Sequence, residues 1–243
     1  MKKLRITLIP LIFYWPLIFV LTHIPIPNII RNIPSSDKVL HFFTYMLLSM
    51  LLWFAINGDE KVNFRKAAVW WVFVIVVWYG VMDEWLQGFV GRTPDIWDFA
   101  SDVAGTICTM LLISILGFWM TAFCLNIAII VIVTNVIGAN FDQYKIVMPV
   151  LNILLYGVLM FVWMACLNGR VGSLGVIKRF LLMAIIPLAV LGGVEAYLKL
   201  NANHLQILKI AAGLATIIIV ALADMGMAYL KIKKAFAAIE SQG

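Results

Sequence analysis

Charge is what this sequence has least of. Asp, Glu, Lys and Arg make up 12% of its 243 residues, against the roughly 25% that covers the surface of a soluble chain. No segment reads as a soluble domain, a long linker or a low-complexity tract. Cysteine is scarce too. Cys108, Cys124 and Cys166 all fall in apolar runs, where they serve as small hydrophobes, so neither a disulfide framework nor a zinc knuckle is expected. There is no phosphate-cradling glycine loop, no serine elbow and no basic stripe, which argues against ATP-driven work by this chain alone and against a nucleic-acid partner. No H-x-x-x-H or comparable ligand spacing is present, so no metal and no cofactor is expected. The N-terminus, "MKKLRITLIPLIFYWPLIFVLTHIPIP", starts like a secretory signal but lacks a small-x-small cleavage site and carries Pro10 and Pro16. It is expected to stay as a first membrane span.

Apolar residues fill the space that charge leaves. They reach 64% of the chain, with a mean hydropathy of +1.02. Runs close to the roughly 20 residues that cross a bilayer recur at 7–24, 38–56, 67–86, 95–116, 119–138, 146–166, 179–198 and 208–228. The fold class expected is all-α: a polytopic integral membrane protein of eight transmembrane helices. Of the 18 Lys and Arg, twelve fall on the side of the N-terminus and six on the other. The positive-inside rule then puts both termini in the cytoplasm. The same bias accounts for the net charge of +6.

A faint repeat divides the chain. "DKVLHFFTYMLL" (37–48) lines up with "YKIVMPVLNILL" (144–155), "GVMDEWLQ" (80–87) with "GGVEAYLK" (192–199), and "VAGTI" (103–107) with "IAAGLAT" (210–216). Four spans per unit is an even number, so the two degenerate four-helix repeats would be parallel. Chance likeness between apolar segments is the simpler alternative. The second copy loses most polar groups: His41 faces Met148 and Glu84 faces Ala196. Residues 1–118 are therefore expected to carry the chemistry and 119–243 to be scaffold.

The polar groups gather in a few places. "YGVMDEWLQGFVGRTPDIWDFASD" (79–102) holds five carboxylates and Arg92. Asp37 and His41 stand four apart at the start of the second span, on one helical face. Asp83, Glu84 and Gln87 close the third span. Thr93 and Pro94 suit an N-cap and first turn, after which Asp95, Asp98 and Asp102 form one stripe, with Gly105 open to a close neighbour. Six carboxylates thus meet only Lys38 and Arg92 as fixed cations. Ionised groups at such depth usually face a polar cavity or a partner. The deficit must be met by shared protons, by His41, by a metal, or by a cationic or proton-donating ligand.

Plainer roles compete with these. Asp95 suits a helix cap, Lys38 a snorkelling side chain and Arg92 a structural clamp. Asp83 and Glu84 are about 100° apart on a helix, so only one is expected to face the cluster. Glu195 looks isolated, Asp224 looks paired at an interface, and tryptophans such as Trp15, Trp53 and Trp119 suit lipid-facing anchors. A carboxylate excess is nevertheless a poor design for a structural knot, which favours a functional cavity by about two to one on the rule that ionisable groups inside a membrane default to function.

"DKVLHFFTYMLL" followed by "YGVMDEWLQGFVGRTPDIWDFASDVAGT" resembles the VanZ-like family of bacterial membrane proteins over about residues 7–118. Asp37, Lys38, His41, Phe42, Asp83, Glu84, Gln87, Gly91, Arg92, Asp98 and Gly105 match its pattern. Asp102 departs from it, since the family commonly has Asn there. The resemblance implies a cell-envelope protein of the bacterial cytoplasmic (inner) membrane, in a family named for glycopeptide resistance and teicoplanin tolerance. It does not establish an enzyme. Three readings remain open. In the first, His41, polarised by Asp37, is base or nucleophile and Glu84 or Asp98 the proton donor. Arg92 and Lys38, with Gln87, Asp83 and Asp102, then bind a membrane lipid or lipid-linked envelope precursor. In the second, the same groups form a proton-coupled binding or transport site. In the third, the carboxylates hold a divalent metal.

Overall fold

The computed structural model describes residues 7–23, 36–138, 147–167, 175–202 and 207–240. Every regular element among them is helical: α1 (Leu8–His23), α2 (Ser36–Asn57), α3 (Ala67–Gln87), a 3-10 turn (Gly88–Val90), α4 (Ile96–Ile115), α5 (Phe118–Gly138), α6 (Val147–Leu167), α7 (Val176–Ala202) and α8 (Ile207–Glu240). Six apolar helical stretches are long enough to cross a membrane: Asp37–Asn57, Ala67–Val90, Ile96–Ile115, Val147–Leu167, Val176–Tyr197 and Ile207–Leu230. Leu8–Val20 and Phe118–Thr134 are apolar but shorter. Large apolar side chains such as Phe13, Trp71, Ile115 and Ile177 are exposed. That is the expected surface of helices whose solvent is lipid, the build of a membrane protein. Lys2, Lys3, Arg5, Arg31, Lys145 and Arg170, on which the orientation argument partly rests, lie outside the described residues.

The chain divides into two compact units, Met1–Leu125 and Asn126–Gly243. In the first, α2 is the centre. Its heaviest contact is with α4, and α1 and α3 pack against it as well. The closeness of α2 and α4 has a sequence cause. A Cβ on Gly105 would overlap the backbone carbonyl oxygen of Phe42 and come within 3.3 Å of the Met46 amide nitrogen, so only glycine lets the two backbones meet. Interhelical hydrogen bonds then hold the contact, as small and hydroxyl residues do between membrane helices. Ser49 donates to Thr106 Oγ1 at 3.2 Å, and Thr109 donates to the Met46 carbonyl at 3.0 Å. Below them lies an apolar core that includes Leu48, Leu52, Val72, Val76 and Ile113.

Trp53 belongs to this core rather than to a lipid-facing belt. It is buried, and its indole N–H donates to the Glu60 carbonyl at 2.7 Å. The expectation fits exposed Trp70, Trp71, Trp78, Trp85 and Trp97 better.

In the second unit α8 packs on both α6 and α7. Gly213 of α8 lies against Tyr156 and Leu191 side chains. Asp224 is paired, as expected, but with Arg179 rather than with the nearby lysines. Glu195 is not isolated: its carboxylate meets Lys209 at 2.8 Å. Lys209 itself is buried within α8.

Candidate functional site

Three helix ends and one turn build the site. The start of α2 supplies Asp37, Lys38 and His41, the end of α3 supplies Asp83, Glu84 and Gln87, and the start of α4 supplies Asp98 and Asp102. Arg92 comes from the connection after the 3-10 turn. Gly91 sits there at φ 79°, the left-handed region that suits glycine, and the Arg92 amide returns to the Gln87 carbonyl at 3.1 Å. This backbone turn swings the guanidinium back over the ends of α1 and α2.

The start of α4 differs from the expectation on Thr93 and Pro94. Asp95 is the N-cap, extended at φ −121° and ψ 119°, and its side chain accepts from the Trp97 amide at 2.8 Å. The Asp95 backbone N–H donates to Glu84 Oε2 at 2.9 Å, so a side chain of α3 satisfies an amide at the start of α4 that has no intrahelical partner. Asp95 precedes the apolar stretch Ile96–Ile115, and its carboxyl is held below its usual value. The Lys38 hydrogen bond is the main cause, followed by the Trp97 amide. Its role as a cap stands, and so does a second role as partner of Lys38.

All nine expected site residues come together, though in pairings that differ from those anticipated. His41 Nδ1 lies 3.0 Å from Asp102 Oδ1, while Asp37 Oδ1 is 4.0 Å from Nε2. Asp102, not Asp37, therefore orients the imidazole, and Nε2 is left on the side of Asp37. Asp37 is instead held by Arg92 Nη2 at 3.2 Å, and Arg92 Nη1 donates to the Thr22 carbonyl at 2.6 Å. Lys38 does not snorkel away. It donates to Asp95 at 2.7 Å and to Asp98 at 3.1 Å, tying the first turn of α2 to that of α4. Asp83 and Glu84 are both buried, against the expectation that only one would turn inward. The bundle closes on two sides of α3 at this level: Asp83 accepts from Thr22 of α1 at 2.7 Å and from Gln87 at 3.1 Å, while Glu84 turns to the start of α4.

Thr22 and His23 were not singled out in the sequence, yet they line the site. His23 Nδ1 stands 3.7 Å from Asp83 Oδ1. Their only sequence signal is a polar pair ending the first apolar run. Tyr45, one turn beyond His41 on the same helical face, and Tyr79 also stand at the site. Their hydroxyls are buried without a hydrogen-bond partner among the described residues, as are Glu84 Oε1 and Asp102 Oδ2. A Cβ on Gly80 would stand 3.2 Å from Asp102 Oδ2 and 3.4 Å from Tyr45 Cε1, so the small residue keeps room for both groups.

The charges sort into two sets. Asp37, Asp95 and Asp98 have fixed cations within 3.2 Å. Asp83, Glu84 and Asp102 have only histidine nitrogens as possible cationic neighbours among the described residues. Three buried carboxylates without fixed countercharge are expensive in a low-dielectric interior, so protons or a cation must be shared among them. The arrangement can hold and pass a proton through His41, or hold a positive ion.

No family model matches the chain, and no solved structure matches it. Over 81 residues, 33% of its length, the chain is 30% identical to an uncharacterized protein of the fission yeast Schizosaccharomyces pombe. That stretch is 48% of the yeast protein, so the chain spans about half the length of the relative it matches.

Proposed function

We propose that the first unit is a VanZ-like acid–base site acting on the anionic head group of a lipid-linked envelope precursor. The observation that carries this reading is the placement of His41. Asp102 holds Nδ1 at 3.0 Å, fixing the tautomer whose Nε2 is free to take a proton from a hydroxyl or water. Glu84 or Asp98 would return a proton to the leaving oxygen, giving hydrolysis or group transfer. Arg92 and Lys38, at the mouth of the cluster, would exchange their carboxylates for the substrate's phosphate.

The proposed setting is a bacterial cytoplasmic membrane, with eight spans, two parallel repeats and both termini cytoplasmic. Support for the duplication comes from corresponding helix pairs. Both α2 with α4 and α6 with α8 are the main contacts of their units, and Gly105 and Gly213 occupy aligned positions in them. A carrier for a lipid-linked or amphipathic molecule is the second reading. It is favoured by the two cations, which bridge helix ends as latches would: Arg92 joins α1 to α2, and Lys38 joins α2 to α4.

Glu84→Gln tests the proposal, since it keeps shape and removes the titratable proton. In a teicoplanin-susceptibility assay, the variant, His41→Ala and Asp98→Asn are each expected to lose the phenotype while still reaching the membrane. Double variants should add little, as groups acting together are strongly non-additive. Full activity of Glu84→Gln would end the acid–base reading. Purified protein with labelled envelope lipids then separates enzyme from carrier by whether a new chemical species forms.

A further inference from the structure

We infer that His41, Asp83 and Glu84 form a binding site for one divalent transition-metal ion. The inference goes beyond the acid–base reading and was not favoured by sequence spacing, because the ligands come from two helices rather than from one motif. Each residue offers a ligand atom, and these atoms lie within 4.8 Å of one another in a wholly buried group.

Acidic clustering alone would carry little, but three further observations point to a ligand. First, Glu84 is 7% exposed, and its Oε1 has no hydrogen-bond partner among the described residues, while Oε2 is satisfied by the Asp95 amide. A buried carboxylate oxygen left open calls for a cation or a proton donor. Second, one nitrogen of His41 is already committed. Asp102, fully buried, takes the Nδ1 side at 3.0 Å, which leaves Nε2 with a lone pair to offer a metal. Carboxylate–histidine–metal arrays of this kind set ring orientation and raise ligand basicity. Third, the protein's own cations are spent elsewhere. Lys38 is committed to Asp95 and Asp98, and Arg92 to Asp37 and the Thr22 carbonyl. Asp83 is anchored by Thr22 and Gln87, which would orient it as an outer-shell partner orients a ligand.

One imidazole and several oxygens suit Mn²⁺ or Zn²⁺ better than Mg²⁺ or Ca²⁺, which prefer oxygen alone. A bound ion would supply the positive charge that the second set of carboxylates lacks. It would also make the two roles of His41 exclusive: Nε2 either binds the ion or takes a proton.

The test uses the full-length protein purified in detergent, stripped with a chelator and titrated with Mn²⁺ under electron paramagnetic resonance. One ion per chain is expected, with ¹⁴N modulation from a single imidazole and displacement by Zn²⁺. Binding should weaken at least tenfold in His41→Ala and in Glu84→Gln, and stay unchanged in Glu195→Gln. The isosteric Glu84→Gln, and the nitrogen signal of the unaltered protein, keep the test decisive if His41→Ala does not fold. Absence of saturable Mn²⁺ or Zn²⁺ binding, an ion without nitrogen coupling, or unchanged affinity in both variants would overturn the site. If no ion binds while Glu84→Gln still loses the phenotype, the acid–base reading survives and this inference does not.

Discussion

The two units handle buried charge differently. In residues 126–243, Asp224 takes two hydrogen bonds from Arg179 at 2.6 and 2.7 Å, and Lys209 meets Glu195 at 2.8 Å. Among the described residues these four charges form two pairs, and each pair is neutral. In residues 1–125, two cations serve Asp37, Asp95 and Asp98, while Asp83, Glu84 and Asp102 share histidines. A neutral pair asks for nothing further once its geometry is good. An uncompensated set needs a proton, an ion or a ligand, and intramembrane carboxylates are too expensive to be kept without one. The contrast separates charge paired within the protein from charge left open to a proton or an ion.

The aligned glycines give the sharpest way to break that contrast. Gly105→Ala drives a methyl into backbone at Phe42, which cannot move aside without parting α2 from α4. Overpacking of this kind is expected to lower stability by about 3 kcal/mol. Gly213→Ala meets side chains rather than backbone, Leu191 Cδ1 at 3.1 Å and the buried Tyr156 ring at 3.2 Å. These must give by a few tenths of an ångström, a cost partly offset by helix propensity, so the loss should be about 1 kcal/mol. Thermal unfolding in detergent reads both. Equal losses would mean that the units pack alike.

The two arginines come next. Arg179→Ala leaves Asp224 buried and unpaired. A quarter of the Arg179 side chain is exposed, so the loss should fall to about 2 kcal/mol, below the usual range for breaking a buried pair, with function kept. Arg92→Ala should do the reverse, because its partner Asp37 is one-third exposed and tolerates the loss, whereas a head group loses its clamp. Assaying unfolding and phenotype on both variants decides it. Loss of function from Arg179→Ala would extend the site into the second unit.

The smallest effect is expected at Asp95. Its carboxyl is depressed in the folded chain by Lys38, so its ionisation favours folding above the unfolded value and that contribution is lost as pH falls through the lower folded value. Asp95→Asn keeps an N-cap acceptor and removes the charge. The variant should be slightly less stable at neutral pH, and the gap should close as pH drops below about 4, the ordinary Asp range. A gap that persists in acid would assign the effect to the cap alone.

Much of this was legible in the chain. The helices follow the apolar runs, Gly105 is legible as a point of close approach, and helical spacing brings polar residues of α2, α3 and α4 to neighbouring helix ends. The errors share one cause. Asp37 was given to His41 because they stand four apart on one helix, yet the actual partner is Asp102, 61 residues away. Glu195 looked isolated because Lys209 belongs to another helix. One of Asp83 and Glu84 was turned outward because a lone helix has an outside, whereas here α1 reaches one and the start of α4 reaches the other.

By itself the sequence determined the helices, the membrane-like surface, the poverty of charge and the set of polar groups brought to one end of the first unit. These follow from hydropathy and from a 3.6-residue period, which are properties of a single segment. Only the tertiary structure decided which carboxylates keep a cation and which are left to His41. That partition depends on the rotation and register of one helix against another. Helix–helix contacts set both, chief among them the backbone approach of Gly105 to Phe42.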